Sequence, residues 1–139
     1  MINRVMDLQN FSVGRVALPL EKAVTVADQT PVSEIIALSR ERGLSRLPVW
    51  RMDGARRRIA GLVNVRSLLY LPDVDAHKTA ADFLKPALYL DSEMRLELAL
   101  RQMQRSGQRL AIVLSRDRRE LGVVSLQDIL KVIFGEVSL

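Results

Sequence analysis

The chain has 139 residues, 48% hydrophobic and 27% charged, with a mean hydropathy of +0.07, which suits one packed domain or two intimate half-domains and excludes wholesale disorder. The absence of cysteine excludes a disulfide framework, a thiolate metal centre and a cysteine nucleophile; one histidine, His77, excludes multi-histidine metal sites and leaves a Ser-His-Asp hydrolase without a well-placed base. The net charge of +5 is carried by arginine, 17 of the 21 basic residues, a side chain suited to phosphate and carboxylate.

The first eleven residues, MINRVMDLQNF, lack the apolar core and small-residue cleavage site of a signal peptide. Ile2–Asn10 reads as a short lead-in helix, apolar at Ile2, Val5, Met6 and Leu8. Its start at Met1-Ile2, already inside helical pattern, reads as an excision from a longer protein. Apolar runs such as Leu110–Leu114 fall far short of the ~20 residues a membrane span needs, so no membrane insertion is expected.

From there the chain is written twice. Ala23–Val26 reads as extended, and Val32, Ile35, Ile36 and Ser39 mark one face of a helix. Thr30-Pro31 is expected to start that helix and Gly43 to end it. Sixty-four residues on, the face recurs as Leu96, Ala99, Leu100 and Met103, closed by Gly107 and preceded by extended Ala87–Leu90. Each glycine leads to an apolar strand, Arg46–Trp50 or Arg109–Val113, then a polar turn, MDGARRR or SRDRRE. A second strand follows, Ile59–Val63 or Leu121–Val124, and runs into a helix at Asn64–Leu69 or Ser125–Leu130. Pro48 is expected at a strand edge or at a turn into the cleft, where its missing N–H is tolerated. Phe134-Gly135 is expected to stop the last helix with an aromatic core anchor.

Each copy is thus a β-α-β-β-α unit, and the fold class is α/β. The two repeats are expected to pack with pseudo-twofold symmetry, sheets inside and helices outside, around two related clefts. The division is residues 1–14 as lead-in, 15–72 as first repeat and 73–139 as second repeat, with a linker over Tyr70–Pro86.

Ser-Arg-Leu-Pro-Val at 45–49 and Gly122-Val-Val-Ser125-Leu-Gln-Asp128-Ile-Leu, set in this duplicated frame, resemble a tandem pair of CBS domains, a Bateman module. The lead-in through Ala17-Leu-Pro19 is similar to that of the CorC/TlyC hemolysin-like and cyclin-M (CNNM) transporters, and the likeness covers residues 1–139. It implies a non-catalytic regulatory module that binds an adenine nucleotide: ATP, with AMP and ADP as alternatives, and Mg²⁺ arriving with the nucleotide rather than at a metal site of its own. It also implies a homodimer, an attached membrane domain exporting divalent cations such as Mg or Co, and a place at the cytoplasmic face of the cell membrane. The alternative is a structural dimerisation module that binds no nucleotide.

The nucleotide-binding set implied is Ser125, Asp128, Arg46, Ser45, Tyr89 and Ile112. Independently, Ser125 at the start of a helix offers a hydroxyl, free amides and a positive dipole end to an anion, with Asp128 as acceptor for a ribose hydroxyl. The same spacing is also a capping box, with Asp128 reaching back to the Ser125 amide. Arg46 either reaches phosphate or lays its stem on the sheet with its head in water. Tyr89 either lines a base pocket or is an ordinary strand aromatic. The first copy has Asn64 and Ser67 where the second has Ser125 and Asp128, so one functional cleft is expected. Leu20 replaces the family's arginine after Pro19, and residues 115–120 replace its acidic loop. The arginines at 56–58 and at 116, 118 and 119 read as solvated hairpin tips, with contact to anionic lipid or an acidic partner as the alternative. No interleaved aromatics or nucleic-acid-binding motif accompany them, so no nucleic-acid partner is expected.

Overall fold

The computed structural model describes residues 11–70 and 77–135. The lead-in helix expected over Ile2–Asn10 lies outside the described residues. The chain forms two compact units by contact, one built from residues up to Ala23 together with those from Ala87 onward, the other from Val24–Pro86.

In the Val24–Pro86 unit, β2 (Val26–Ala27), β3 (Arg46–Asp53) and β4 (Arg56–Asn64) form a sheet of order β2-β3-β4, with β2 parallel and β4 antiparallel to β3. Helices α2 (Val32–Arg42) and α3 (Val65–Leu69) supply the apolar cover. The core gathers Val26, Val32, Ile35, Leu47, Val49, Val63 and Leu68, the inward positions of both periodicities. The other unit repeats the plan. Strands β1 (Leu18–Pro19), β5 (Leu88–Asp91), β6 (Leu110–Leu114) and β7 (Glu120–Ser125) lie in the order β1-β7-β6-β5. Helices α1 (Val13–Val16), α4 (Leu96–Ser106) and α5 (Leu126–Ile133) belong to it, around a core of Val13, Leu90, Leu96, Met103, Val113 and Ile129. The expected mixed α/β class is what forms, and Gly43 and Gly107 end their helices at φ of +66° and +70°.

The connecting segments do more than join. The segment that opens the first copy, Val13 to Pro19, adds β1 to β7 of the second, pairing Leu18 with Val123 and Pro19 with Gly122. The matching segment 67 residues on, Ala80 to Pro86, serves the sheet of the first copy. There Leu62 donates to the Lys85 carbonyl at 2.9 Å and accepts from the Lys85 amide at 2.8 Å. Gly61 and Gly122 sit where these segments cross: a Cβ at either would collide with the carbonyl oxygen of Lys85 or Leu18. Contact therefore groups residues differently from repetition, and the linker over Tyr70–Pro86 contains a built element. Thr79 and Asp82 close a reciprocal capping box on a 3₁₀ turn at Ala80–Phe83, and Ala80 is fully buried.

Several local expectations are corrected. Pro31 is itself the cap position of α2, and the Thr30 hydroxyl instead accepts the Ala27 amide at 3.0 Å. The first polar turn shrinks to Gly54-Ala55, because Asp53 pairs with Arg56 and residues 56–58 extend β4. Pro48 lies buried within the central strand rather than at an edge or in a turn. Its partner Leu62 spends both backbone groups on Lys85, so Pro48 sits at a non-hydrogen-bonded position toward β4 and no N–H is required on that side. Phe134 caps α5 but is 75% exposed, so the last helix is anchored by Ile129 instead.

Candidate functional site

The second copy's strand-to-helix junction is the best-formed candidate. Strand β7 ends at Ser125, which pairs with Leu110 across the sheet, and α5 begins at the next residue. Ser125 keeps extended backbone (φ −96°, ψ 153°), and its Oγ accepts the Asp128 amide at 3.0 Å. This is the N-cap expected from the sequence. The reciprocal half of the box is absent: the exposed Asp128 carboxylate carries no hydrogen bond or ion pair among the described residues.

The free amides are fewer than the sequence suggested. The Leu126 amide donates to the Arg109 carbonyl at 2.9 Å and the Asp128 amide is taken by Ser125. That leaves the Gln127 amide and the Ser125 hydroxyl hydrogen as donors toward an anion, with Asp128 as a neighbouring acceptor. The set fits a phosphate ester that also carries a hydroxyl, which is the chemistry of a nucleotide.

The first copy builds the same junction with different groups. Val65 donates to the Ser45 carbonyl at 2.8 Å, as Leu126 does to Arg109. Asn64 caps α3, its Oδ1 accepting the Arg66 amide at 3.1 Å, and Ser67 occupies the place of Asp128. That helix has five residues against eight in α5. The copy offers no carboxylate on its first turn.

The six sequence-nominated residues divide between the units. Ser125, Asp128, Tyr89 and Ile112 fall in one, Ser45 and Arg46 in the other. Tyr89 and Ile112 are direct neighbours across β5 and β6, with Tyr89 38% exposed and Ile112 fully buried. Half-buried Arg46 donates from Nη1 to the Ser45 hydroxyl at 3.2 Å. Ser45 also lines a cavity of about 240 Å³ with Ser39, Gly43, Leu44, Val65 and Arg66. Neither Arg66 nor Ser39, the latter expected only on a helix face, belongs to the nucleotide-binding set expected from the sequence; their proximity follows from the α2-to-β3 turn meeting the start of α3, a tertiary fact with no local signal.

The arginine-rich β3–β4 hairpin is engaged locally. The Arg57 guanidinium lies 4.4 Å from the Trp50 ring centroid, and Arg51 Nε is 3.7 Å from Asp28 Oδ2. The Trp50 indole donates to the Thr25 hydroxyl at 2.8 Å. Among the described residues no group of three or more His, Cys, Asp or Glu is placed to hold a metal ion. No helix among them is long and apolar enough to cross a membrane.

Comparison with known proteins identifies relatives of the fold. The CBS domain model matches residues 13–72 and again 80–135. The magnesium and cobalt efflux protein CorC of Escherichia coli (strain K12) is 26% identical over 139 residues, covering 99% of this chain and 47% of CorC, so the chain spans about half the length of that relative. The solved CBS domain of a bacterial CNNM/CorC family Mg²⁺ transporter in complex with ATP aligns with a TM-score of 0.84 at 26% identity, covering 96% of this chain and 94% of that one. The same domain in a second structure aligns with a TM-score of 0.83 over 96% and 81% of the two chains. The duplicated β-α-β-β-α plan, the paired crossing segments and these matches together make the chain a tandem pair of CBS domains, homologous to CorC and to the CBS domain of the CNNM/CorC transporters.

Proposed function

We propose that this chain is a non-catalytic regulatory module that binds one adenine nucleotide, ATP, at the start of α5 and thereby biases an attached domain that exports divalent cations. The observation that carries the reading is the Asp128 carboxylate, beside the α5 cap and with no partner among the described residues. A homologous CBS domain solved in complex with ATP supports the choice of ligand. Asp128 accepts from a ribose hydroxyl, while the Ser125 hydroxyl and the Gln127 amide donate to phosphate. Mg²⁺ accompanies the nucleotide, the module works as a homodimer, and the whole sits at the cytoplasmic face of a membrane. Regulation follows by linkage, to the extent that ATP prefers one arrangement of the attached parts.

Tyr89, Ile112, Ser45 and Arg46 are proposed as further contacts, each with its own alanine variant as a test. The Asn64–Ser67 junction, lacking a carboxylate and followed by a short helix, favours one site over two and gives the rival reading, a dimerisation module without ligand, its footing. Thermal unfolding with ATP, ADP and AMP, with and without Mg²⁺, separates the two. ATP at 100 times Kd raises stability by about 2.7 kcal/mol, and Asp128→Ala removes the gain. A melting temperature indifferent to every nucleotide but rising with protein concentration would establish the scaffold instead.

A further inference from the structure

A cavity of about 250 Å³ opens at the C-terminal ends of β5 and β6, lined by Tyr89, Asp91, Ser115, Arg116 and Arg118 among others. It belongs to the same unit as Asp128 but lies at the far end of the sheet. Ser125 pairs with Leu110, whereas the cavity begins at Leu114, four residues or ~13 Å along β6.

The turn that forms its rim is held from within. The Ser115 amide donates to the Arg119 carbonyl at 2.9 Å, and the Arg119 amide returns to Ser115 Oγ at 3.1 Å. Asp117 accepts the Ser115 hydroxyl and pairs with Arg119 Nε at 3.3 Å. The Arg116 guanidinium has no ion pair or hydrogen bond among the described residues. Arg118 is the one described non-glycine residue in the left-handed region, at φ +66°, where the β3–β4 turn of the other copy uses Gly54 at +65°. A side chain there costs stability that glycine would save, and strain of this kind gathers at ligand sites.

The lining also restricts what fits. Asp91 Oδ1 accepts the Glu93 amide at 2.8 Å, which leaves its second oxygen for a hydroxyl donor. Tyr89 adds a partly exposed aromatic wall. The volume lies below the ~300–1,000 Å³ of sites for drug-sized ligands. We propose that this turn binds a small soluble phosphomonoester carrying a hydroxyl group, of glycerol phosphate or sugar phosphate size, with Arg116 and Arg118 on the phosphoryl group and Asp91 on the hydroxyl. The contacts to the ligand, Arg116, Arg118 and Asp91, do not depend on the ATP reading; Tyr89 is the one residue named for both sites.

The test is an NMR titration of the ¹⁵N-labelled chain with glycerol 3-phosphate, with separate arms for inorganic phosphate, glycerol and sodium chloride at matched ionic strength. The expected result is saturable shifts at amides 89–91 and 115–119 with glycerol 3-phosphate, weaker ones with phosphate, and none with glycerol or salt. Arg116→Ala should weaken binding by about tenfold or more. Arg118→Gly should do the same while raising the melting temperature, which shows that the fold survives the change. Asp128→Ala should leave the turn's response intact, so that failure of the ATP site and failure of this one are told apart. Shifts confined to residues 125–128, a response equalled by salt, or an Arg118→Gly chain that binds undiminished would overturn the proposal.

Discussion

Replacing Gly122 with alanine tests the crossing segments. The new Cβ would meet the Leu18 carbonyl oxygen, with the Leu18 carbonyl carbon at 3.0 Å and Pro19 Cα at 3.4 Å. All three are backbone atoms, so no side chain can swing aside. Strand β1 has only two residues, paired to Val123 and Gly122, and the cheapest relief is to push it off the sheet. That sacrifices about two hydrogen bonds at roughly 1 kcal/mol each, and residual overpacking adds ~1 kcal/mol or more. The expected loss is ~2–4 kcal/mol, a large share of the ~5–15 kcal/mol of a typical domain. In a chain of this length it corresponds to a fall in melting temperature of roughly 6–14 °C. Gly107→Ala is the control: nothing among the described residues lies within 4 Å of its Cβ, and only its φ of +70° is penalised, at about 1–2 kcal/mol. Urea unfolding followed by circular dichroism gives both numbers. A Gly122→Ala chain within 0.5 kcal/mol of the parent would refute the reasoning.

Three further outcomes are expected. Ser125→Ala removes the α5 cap and should cost about 1 kcal/mol in the same unfolding assay, whereas Asp128→Ala, whose side chain bonds nothing in the described protein, should leave stability within ~0.5 kcal/mol. Thr79→Ala opens the capping box over Ala80–Phe83 and should cost about 1 kcal/mol, showing that the linker is a structural element. Met103→Ala, at a fully buried position of α4, should cost ~2–5 kcal/mol by leaving a cavity, while Leu98→Ala on the exposed face should cost much less.

The repeat made much of the fold legible, because hydrophobic period and glycine punctuation act locally. Val32 and Ile35, and Leu96 and Ala99, are buried as their spacing requires, and both helices stop at left-handed glycines. What escaped was tertiary. Nothing in residues 18–19 or 84–85 says which sheet edge each will join, since a two-residue strand has no period to read. Gly61 and Gly122 carried that information, but a strand glycine marks a close approach without naming what approaches. Thr79 and Asp82 did form a readable capping signature, obscured by the prolines and aspartates around them. Pro48 misled because pairing parity, which decides whether its N–H is missed, depends on where Lys85 lands. At the site, the Ser125 cap was readable from S-x-x-D spacing, but whether Asp128 would close the box or remain available was a geometric question.

The most direct measurement is calorimetric titration of the chain with ATP in the presence of Mg²⁺, run in parallel on Asp128→Ala and on Ser67→Ala. The account predicts saturable binding of one ATP per chain, abolished or weakened at least tenfold in Asp128→Ala and unchanged in Ser67→Ala. No heat of binding up to millimolar ATP from a folded sample, or equal binding by the Asp128→Ala chain, would contradict it.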